Sequence, residues 1–331
     1  MNVSEQKKIQ HLYFRAGFGI SLEKLGQELS KDLNTHVNNL FKTSKTISQL
    51  NVINELDFVF PGNRQLQKEE KQAVIKDSEE KMRSLNLQWM DKIILEEGQL
   101  REKMTLFWHD HFATQNRIPY FAQTQNNIFR KHALGSFRAM LFDLFKDPSM
   151  VQFLNNKQIR KKHPNEIFAR DLLEHYTMGP ENLKLQDIKP VARSFTGWML
   201  DDKGRSVFID KDKDKEEKIL FNVKGNFKVD EILIILLKKP EVANFITTKI
   251  YKYFVNDVEN KEIIQGLAEN FYKSDYDIGK LLREIFTSTW FYNKENIGAK
   301  IKTPIELIAS LNRSFPITLT DKKPFIYLQK L

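Results

Sequence analysis

Apolar residues recur at the three-to-four spacing of a helix face along most of this chain, and one stretch breaks the rhythm. That pattern limits the fold more than any motif does. Between Ser4 and Ala16, Ile9, Leu12, Tyr13 and Ala16 share a face, and the run stops at Gly17-Phe18-Gly19, where glycine permits positive φ. Ser21 opens SLEKLGQELS as an N-cap, and a short helix is predicted over 35–42. Residues 65–97 read as one long charged helix, polar in its early part and amphipathic over LNLQWMDKIILEE. Further helices are predicted over 121–133, 137–145, 148–154, 164–178, 185–195, 229–238, 240–255, 261–272, 277–291 and 304–311. Pro148, Pro164, Pro240 and Pro304 stand at or near their starts, where a missing N–H costs nothing. The interruption is WMLDDKGRSVFID followed by KILFNV, a turn flanked by short apolar runs. The expectation is a mainly α protein: a single large helical domain over 1–331 with a small β-hairpin insertion around residues 198–224. Its parts would be N-terminal helices (1–60), the charged helix (65–97) and a helical core (98–331).

Composition excludes several chemistries. The chain of 331 residues has no cysteine, so disulfides, thiolate-bound metals, iron–sulfur clusters and thiol nucleophiles are ruled out. The longest aliphatic run, Ile232–Leu237, is far short of the roughly 20 residues a membrane span needs. MNVSEQKKIQHLYF lacks the apolar stretch of a secretory signal, so a cytoplasmic location is the default expectation, with periplasm or cell surface reachable through a partner. The net charge of +9 invites a nucleic-acid reading, but the basic residues alternate with acidic ones and no basic stripe with interleaved aromatics appears. No nucleic-acid partner and no membrane span are expected.

The string WHDHF sets His109 and His111 on either side of Asp110 within an aromatic run. Imidazole ligates metals and moves protons near neutral pH, so the pair is a candidate for acid/base work or for a divalent metal. On a continuous helix, residues two apart point roughly 200° apart and could not grip one ion. The competing reading is one histidine in an aromatic core and the other half exposed. In PNEIFARDLLEHYTMG, Glu166, Arg170 and Glu174 follow at i, i+4 and i+8, either a solvated salt-bridge ladder or a buried network. Asn165 sits where the helix starts. In VARSFTGW, Arg193 lies one turn before a glycine stop at Gly197, with Trp198 after it, and in HLYFRAGFG, His11 and Arg15 form another i,i+4 pair. No Walker, dinucleotide or nucleophile-elbow motif occurs.

Four of these strings, HLYFRAGFG (11–19), REKMTLFWHDHFAT (101–114), PNEIFARDLLEHYTMG (164–179) and ARSFTGW (192–198), together with KKPEVANFITTKIYKYFV, resemble in order the motifs of the bacterial domain-of-unknown-function 1800 family. The resemblance supplies no reaction. It implies that His11, Arg15, His109, His111, Asn165, Glu166, Arg170, Glu174 and Arg193 belong to one candidate site. It also implies a secreted, sulfatase-like partner protein encoded nearby. Two departures are visible: no histidine follows the TGW string, and the chain stops at KKPFIYLQKL where members continue, as in a C-terminally short or divergent member.

The expected function is a polar, acid/base or metal-assisted hydrolytic pocket. His109 or His111 would be base or ligand, Glu166 and Glu174 the acids, and Arg170 and Arg193 anion-binding groups, with His11, Arg15, Asn165 and Trp198 toward the substrate. The alternative is a non-enzymatic scaffold or polymer-binding partner of a secretion or cell-surface system.

Overall fold

The computed structural model describes residues 4–55, 58, 60, 67–114, 117–155 and 164–315. Among these residues the chain is mainly helical, with two small antiparallel pairs of strands. The helices are α1 (Glu5–Ala16), α2 (Leu22–Glu28), α3 (Leu33–Thr43), α4 (Lys68–Leu95), α5 (Gln99–His111), α6 (Pro119–His132), α7 (Phe137–Leu144), α8 (Pro148–Asn155), α9 (Glu166–Asp171) and α10 (Leu185–Ser194). After the strands come α11 (Val229–Leu237), α12 (Pro240–Phe254), α13 (Lys261–Lys273), α14 (Ile278–Thr287) and α15 (Pro304–Ser314).

Their ends follow local chemistry. Ser4, Ser21, Asp32, Ser136, Asn165, Asn260, Asp277 and Thr303 each turn a side-chain oxygen to a backbone N–H of the first turn. Proline occupies the start of α6, α12 and α15. After α1 the backbone of Gly19 takes φ +127°, while Gly17 is needed for a different reason: a Cβ there would stand 2.6 Å from Gln99 Oε1, which accepts the N–H of Phe18. The predicted helix over 277–291 ends sooner, because Ser288 is extended, and a short 3-10 turn, Thr289–Tyr292, follows.

The β interruption is two hairpins. Strand β1 (Trp198–Leu200) pairs with β2 (Ser206–Phe208), and β3 (Lys218–Leu220) pairs with β4 (Val223–Gly225). The second turns through Phe221 and Asn222, both at positive φ, the backbone of a tight two-residue hairpin. Both hairpins fall within the interval where helix periodicity fails.

One cluster of buried apolar residues extends from Ile9 to Tyr292 and joins nearly every helix. Helix α4 is solvated over its first half and buries Leu85 and Ile93 further on, against α5, α6 and α15. Helix α5 runs through the middle of these layers. Ten of its thirteen residues are buried, among them Arg101, Glu102 and Lys103. A helix so placed has no solvated face, so each charged group on it needs a partner in the interior. No helix among the described residues is long and apolar enough to cross a membrane.

Candidate functional site

Helix α5 runs unbroken through His111, so its two histidines look in opposite directions and build two different environments. On one side Lys103, Phe107 and His111, spaced four apart, face α12. The ring of Phe107 lies 5.2 Å from that of Tyr253, and the Lys103 ammonium sits 5.0 Å over Phe18 and 5.3 Å over Tyr253. Lys103 pairs with Glu306 of α15, and burial pulls its ammonium down to about 8 against that attraction. Arg15 closes the same seam by donating to the carbonyls of Tyr253 and Phe254, the exposed end of α12's hydrogen-bond ladder.

His111 completes this seam. Its Nε2 stands 3.1 Å from the carbonyl of Tyr176, and its Nδ1 3.1 Å from the Lys249 ammonium. Since a carbonyl only accepts, Nε2 carries the proton and Nδ1 accepts from Lys249. Burial holds the imidazole down at about 3, with Lys249 adding to the effect and the Tyr176 bond opposing it. The carbonyl it meets belongs to a wide turn, because α9 passes into a π-helical stretch at Leu172–Thr177 where Met178 N–H bonds back to Leu173. Lys249 also reaches the carbonyl of His175 at 3.4 Å. Thus His111 and Lys249 serve the loose carbonyl end of that helix.

The other side of α5 carries Glu102 and His109, seven residues apart. Glu102 is fully buried and held bidentate by Arg130 of α6 at 2.7 and 2.9 Å, and it also accepts from the indole N–H of Trp89 at 2.9 Å. Arg130 goes on to Asn127, whose side-chain amide clasps the backbone of Leu50 through both its groups. Above this base lies a hollow of about 180 Å3, bordered by Trp89, His109, Thr114, Gln125 and Asn126, with Leu50, Met82 and Leu85 supplying apolar wall. The ring of His109 meets Trp89 edge-on at 5.0 Å. Loss of water around the ring holds its pKa below the ordinary imidazole value, Asp110 pulling the other way, although the residue as a whole is exposed.

Behind the hollow runs a polar chain. Thr114 donates to Gln125 Oε1 at 2.7 Å, and the Gln125 amide donates to Asp147 Oδ2 at 3.3 Å. Asp147 is the N-cap of α8, accepting from Met150 N–H at 3.2 Å. Burial pushes its carboxyl up to about 7 despite those bonds. Two oxygens are buried here with no hydrogen-bond partner, Asn126 Oδ1 and Asp147 Oδ1. Both are sealed from solvent, and other orphaned atoms lie away from the hollow, such as Trp108 Nε1 of α5 and Thr247 Oγ1 of α12.

The remaining residues singled out from sequence lie elsewhere. Glu166 and Arg170 are exposed, and Arg170 stands 3.8 Å from the half-buried Glu174, which also faces His175 at 3.8 Å. The π turn begins after Asp171 and shifts Glu174 off the regular i,i+4 register, so the group is a solvated surface pairing and not a walled network. Asn165 caps α9 through Phe168 N–H. Arg193 grips Asp214 with two bonds and Glu216 with a third, tying α10 to the hairpins, where Trp198 packs on Phe208. His11 is buried against Phe291 and Tyr292, and burial lowers it to about 4. These groups do not meet in one hollow. His109 and His111 share no metal site, since they diverge and both nitrogens of His111 are engaged. Among the described residues no group of three or more His, Asp or Glu converges on a point.

Sequence reasoning passed over Trp89, Thr114, Gln125, Asn126, Asp147, Glu102, Arg130 and Lys249. One signal was present: α6 carries QTQNN, a run of amides on a helix whose face is otherwise buried. Amides on a buried face either hold backbone, as Gln123 and Asn127 do, or await a ligand.

Comparison with known proteins agrees with the order of the motifs. A family model described as a protein of unknown function, DUF1800, matches residues 11–330. Neither the curated proteins nor the solved structures return a match. The chain belongs to the DUF1800 family.

Proposed function

We propose that this member of the DUF1800 family uses the hollow beside His109 to bind a small polar molecule and to move a proton on it. The observation that carries the reading is free volume walled by the amides Gln125 and Asn126 and the Thr114 side chain, together with a histidine of lowered pKa. An apolar cavity of roughly 150 Å3 takes a benzene ring. The hollow of about 180 Å3 therefore suits one ring-sized or smaller group, held by amides and a hydroxyl. A neutral imidazole at its rim has a free lone pair at pH 7 and is suited to general-base work. The residues fixing the ligand would be Asn126, Gln125 and Thr114, with His109 as base and Trp89 as the flat wall.

Glu102 and Arg130 act beneath that wall as positioning residues. They hold Trp89 by its N–H and the Leu50 backbone through Asn127, which sets two sides of the hollow. The surface group Glu166–Arg170–Glu174 has no part in this reading.

The test is nuclear magnetic resonance of the full chain with small neutral probes, glycerol and acetamide, at millimolar concentration. Shifts confined to the side-chain amides of Gln125 and Asn126 and to the His109 ring, lost in Asn126→Leu, are expected. Probe-independent spectra at these three residues would remove the reading.

A further inference from the structure

We infer that a surface groove on the far side of Leu50 from the hollow is a binding site for a neutral saccharide chain. Leu50 borders both spaces, so the stretch 49–53 is a wall between them, and the groove does not depend on the chemistry proposed for His109. The groove holds about 490 Å3, within the range of ordinary ligand sites and larger than the hollow. One face of α6 makes its floor. Tyr120, Thr124 and Ile128 recur at four-residue spacing and Lys131 follows, so the floor runs about 16 Å along the helix axis. The wall is held in place from α6. Gln123 accepts the N–H groups of Val52 and Ile53 and donates to the Ile53 carbonyl, while Asn127 accepts the Leu50 N–H and donates to the Leu50 carbonyl. A wall pinned in this way has little freedom left to lose when a ligand enters.

The accessible lining selects the occupant. An anion would meet Lys131, which already stands 2.7 Å from Asp143. Glu55 is exposed and well hydrated, so it holds a cation weakly. An extended peptide docks on open backbone groups, and those of Leu50 and Ile53 are taken by Asn127 and Gln123. An apolar guest would strip water from the amides and give them no partner. The groups that remain are Gln49 and Asn51 on the wall, both exposed, and the half-buried Tyr120 and Thr124 on the floor. A side-chain amide both donates and accepts, and so do the neighbouring hydroxyls of a sugar. The Thr124 hydroxyl donates to the Tyr120 carbonyl at 2.8 Å and keeps lone pairs for a further donor. Phe58 stacks on the Tyr120 ring at 4.5 Å, which fixes that ring where it borders the groove. A sugar ring carries hydroxyls at its edge and C–H groups on its face, so accessible amides beside a fixed aromatic ring match both.

The test titrates three neutral trisaccharides, maltotriose, chitotriose and mannotriose, into the full chain, with trigalacturonate and trialanine as the acidic and peptide controls. Binding is followed by nuclear magnetic resonance at the side-chain amides of Gln49 and Asn51 and at the Tyr120 ring. At least one neutral sugar should shift all three signals and bind about tenfold tighter than either control. Gln49→Ala with Asn51→Ala, at two exposed positions, should weaken that sugar about tenfold and leave the urea midpoint unchanged. Tyr120→Leu should abolish binding, whereas Tyr120→Phe, which keeps the ring, should retain most of it. Silence of the three signals toward all three sugars overturns the inference, as does a control that binds equally well or a double alanine variant that binds like the parent. The amides of Gln125 and Asn126 should not respond to the sugars. A response there in place of one at Gln49 and Asn51 would overturn the groove and leave the hollow standing.

Discussion

The two sides of α5 are made from one stretch of sequence, and both hold buried ionisable groups, yet they differ in what is left over. On the α12 side, Lys103 has Glu306, Arg15 has two carbonyls, and His111 has a carbonyl and an ammonium. On the α6 side, Glu102 is as well satisfied as any group in the molecule, but the layer above it contains empty volume lined by amides; orphaned buried atoms occur on both sides, Asn126 Oδ1 and Asp147 Oδ1 here and Thr247 Oγ1 and Tyr253 Oη on α12. The lesson is that a shifted pKa does not separate a site from a structural joint. His111 is displaced down to about 3 and is fully bonded, whereas His109 borders free space. A polar-lined cavity beside the group is the better discriminator.

The comparison can be broken most severely at its shared base. Arg130→Ala leaves Glu102 buried and unpaired and frees Trp89 and Asn127 together, so a loss of about 3–5 kcal/mol is expected from the denaturant midpoint. A variant as stable as the parent would show that the base does not support the hollow. On the α12 side, Lys103→Met should cost about 3 kcal/mol by stranding Glu306, and adding Glu306→Leu should recover most of it, since apolar replacement of a whole buried pair is often neutral. Failure of the double variant to recover would mean that the seam does more than hold α5 to α12 and α15.

The two sides should also titrate in opposite directions. His111 is neutral when folded and gains a proton on unfolding below 6.5, so its contribution is present above pH 6.5 and is lost as the pH falls toward about 3. Asp147 is the reverse: with a pKa raised from 3.8 to about 7, it favours the fold at low pH and loses that advantage as the pH rises through 7. His111→Gln should flatten the acid limb of a stability–pH curve, and Asp147→Asn the rise in instability between pH 4 and 7. An unchanged curve in either variant would contradict the assigned environment. The smallest effect on stability is expected from His109→Asn, within about 1 kcal/mol because the residue is exposed, while the response to hollow-binding probes is lost.

Much of the scaffold was legible in the residues. The long charged helix is expected over 65–97 and found as Lys68–Leu95, and the strands fall inside 198–224 apart from the last residue of β4, Gly225. The site was less so. The histidine string points to the right helix, and its two-residue spacing already says that the imidazoles must part, but not which of them meets a cavity. The Glu166–Arg170–Glu174 ladder looks equally good as a surface or a buried network on paper. A π turn at Leu172–Thr177, whose carbonyls meet His111 of α5 and Lys249 of α12, decides where those carbonyls and carboxylates point. REKM announces an unusual density of charge on a helix, and only its three partners, Ser44 with Arg130 for Arg101, Arg130 for Glu102 and Glu306 for Lys103, explain it.

Helix rhythm, capping residues, the absence of thiol chemistry and the break at the hairpins are properties of neighbouring residues, so the chain's own letters determined them. Free volume, orphaned acceptors and the choice between two histidines arise where helices from distant parts of the chain cross. They depend on which side chains fill the space between α4, α5 and α6. Only the tertiary arrangement decided that, because packing is a relation among surfaces and no single segment contains it.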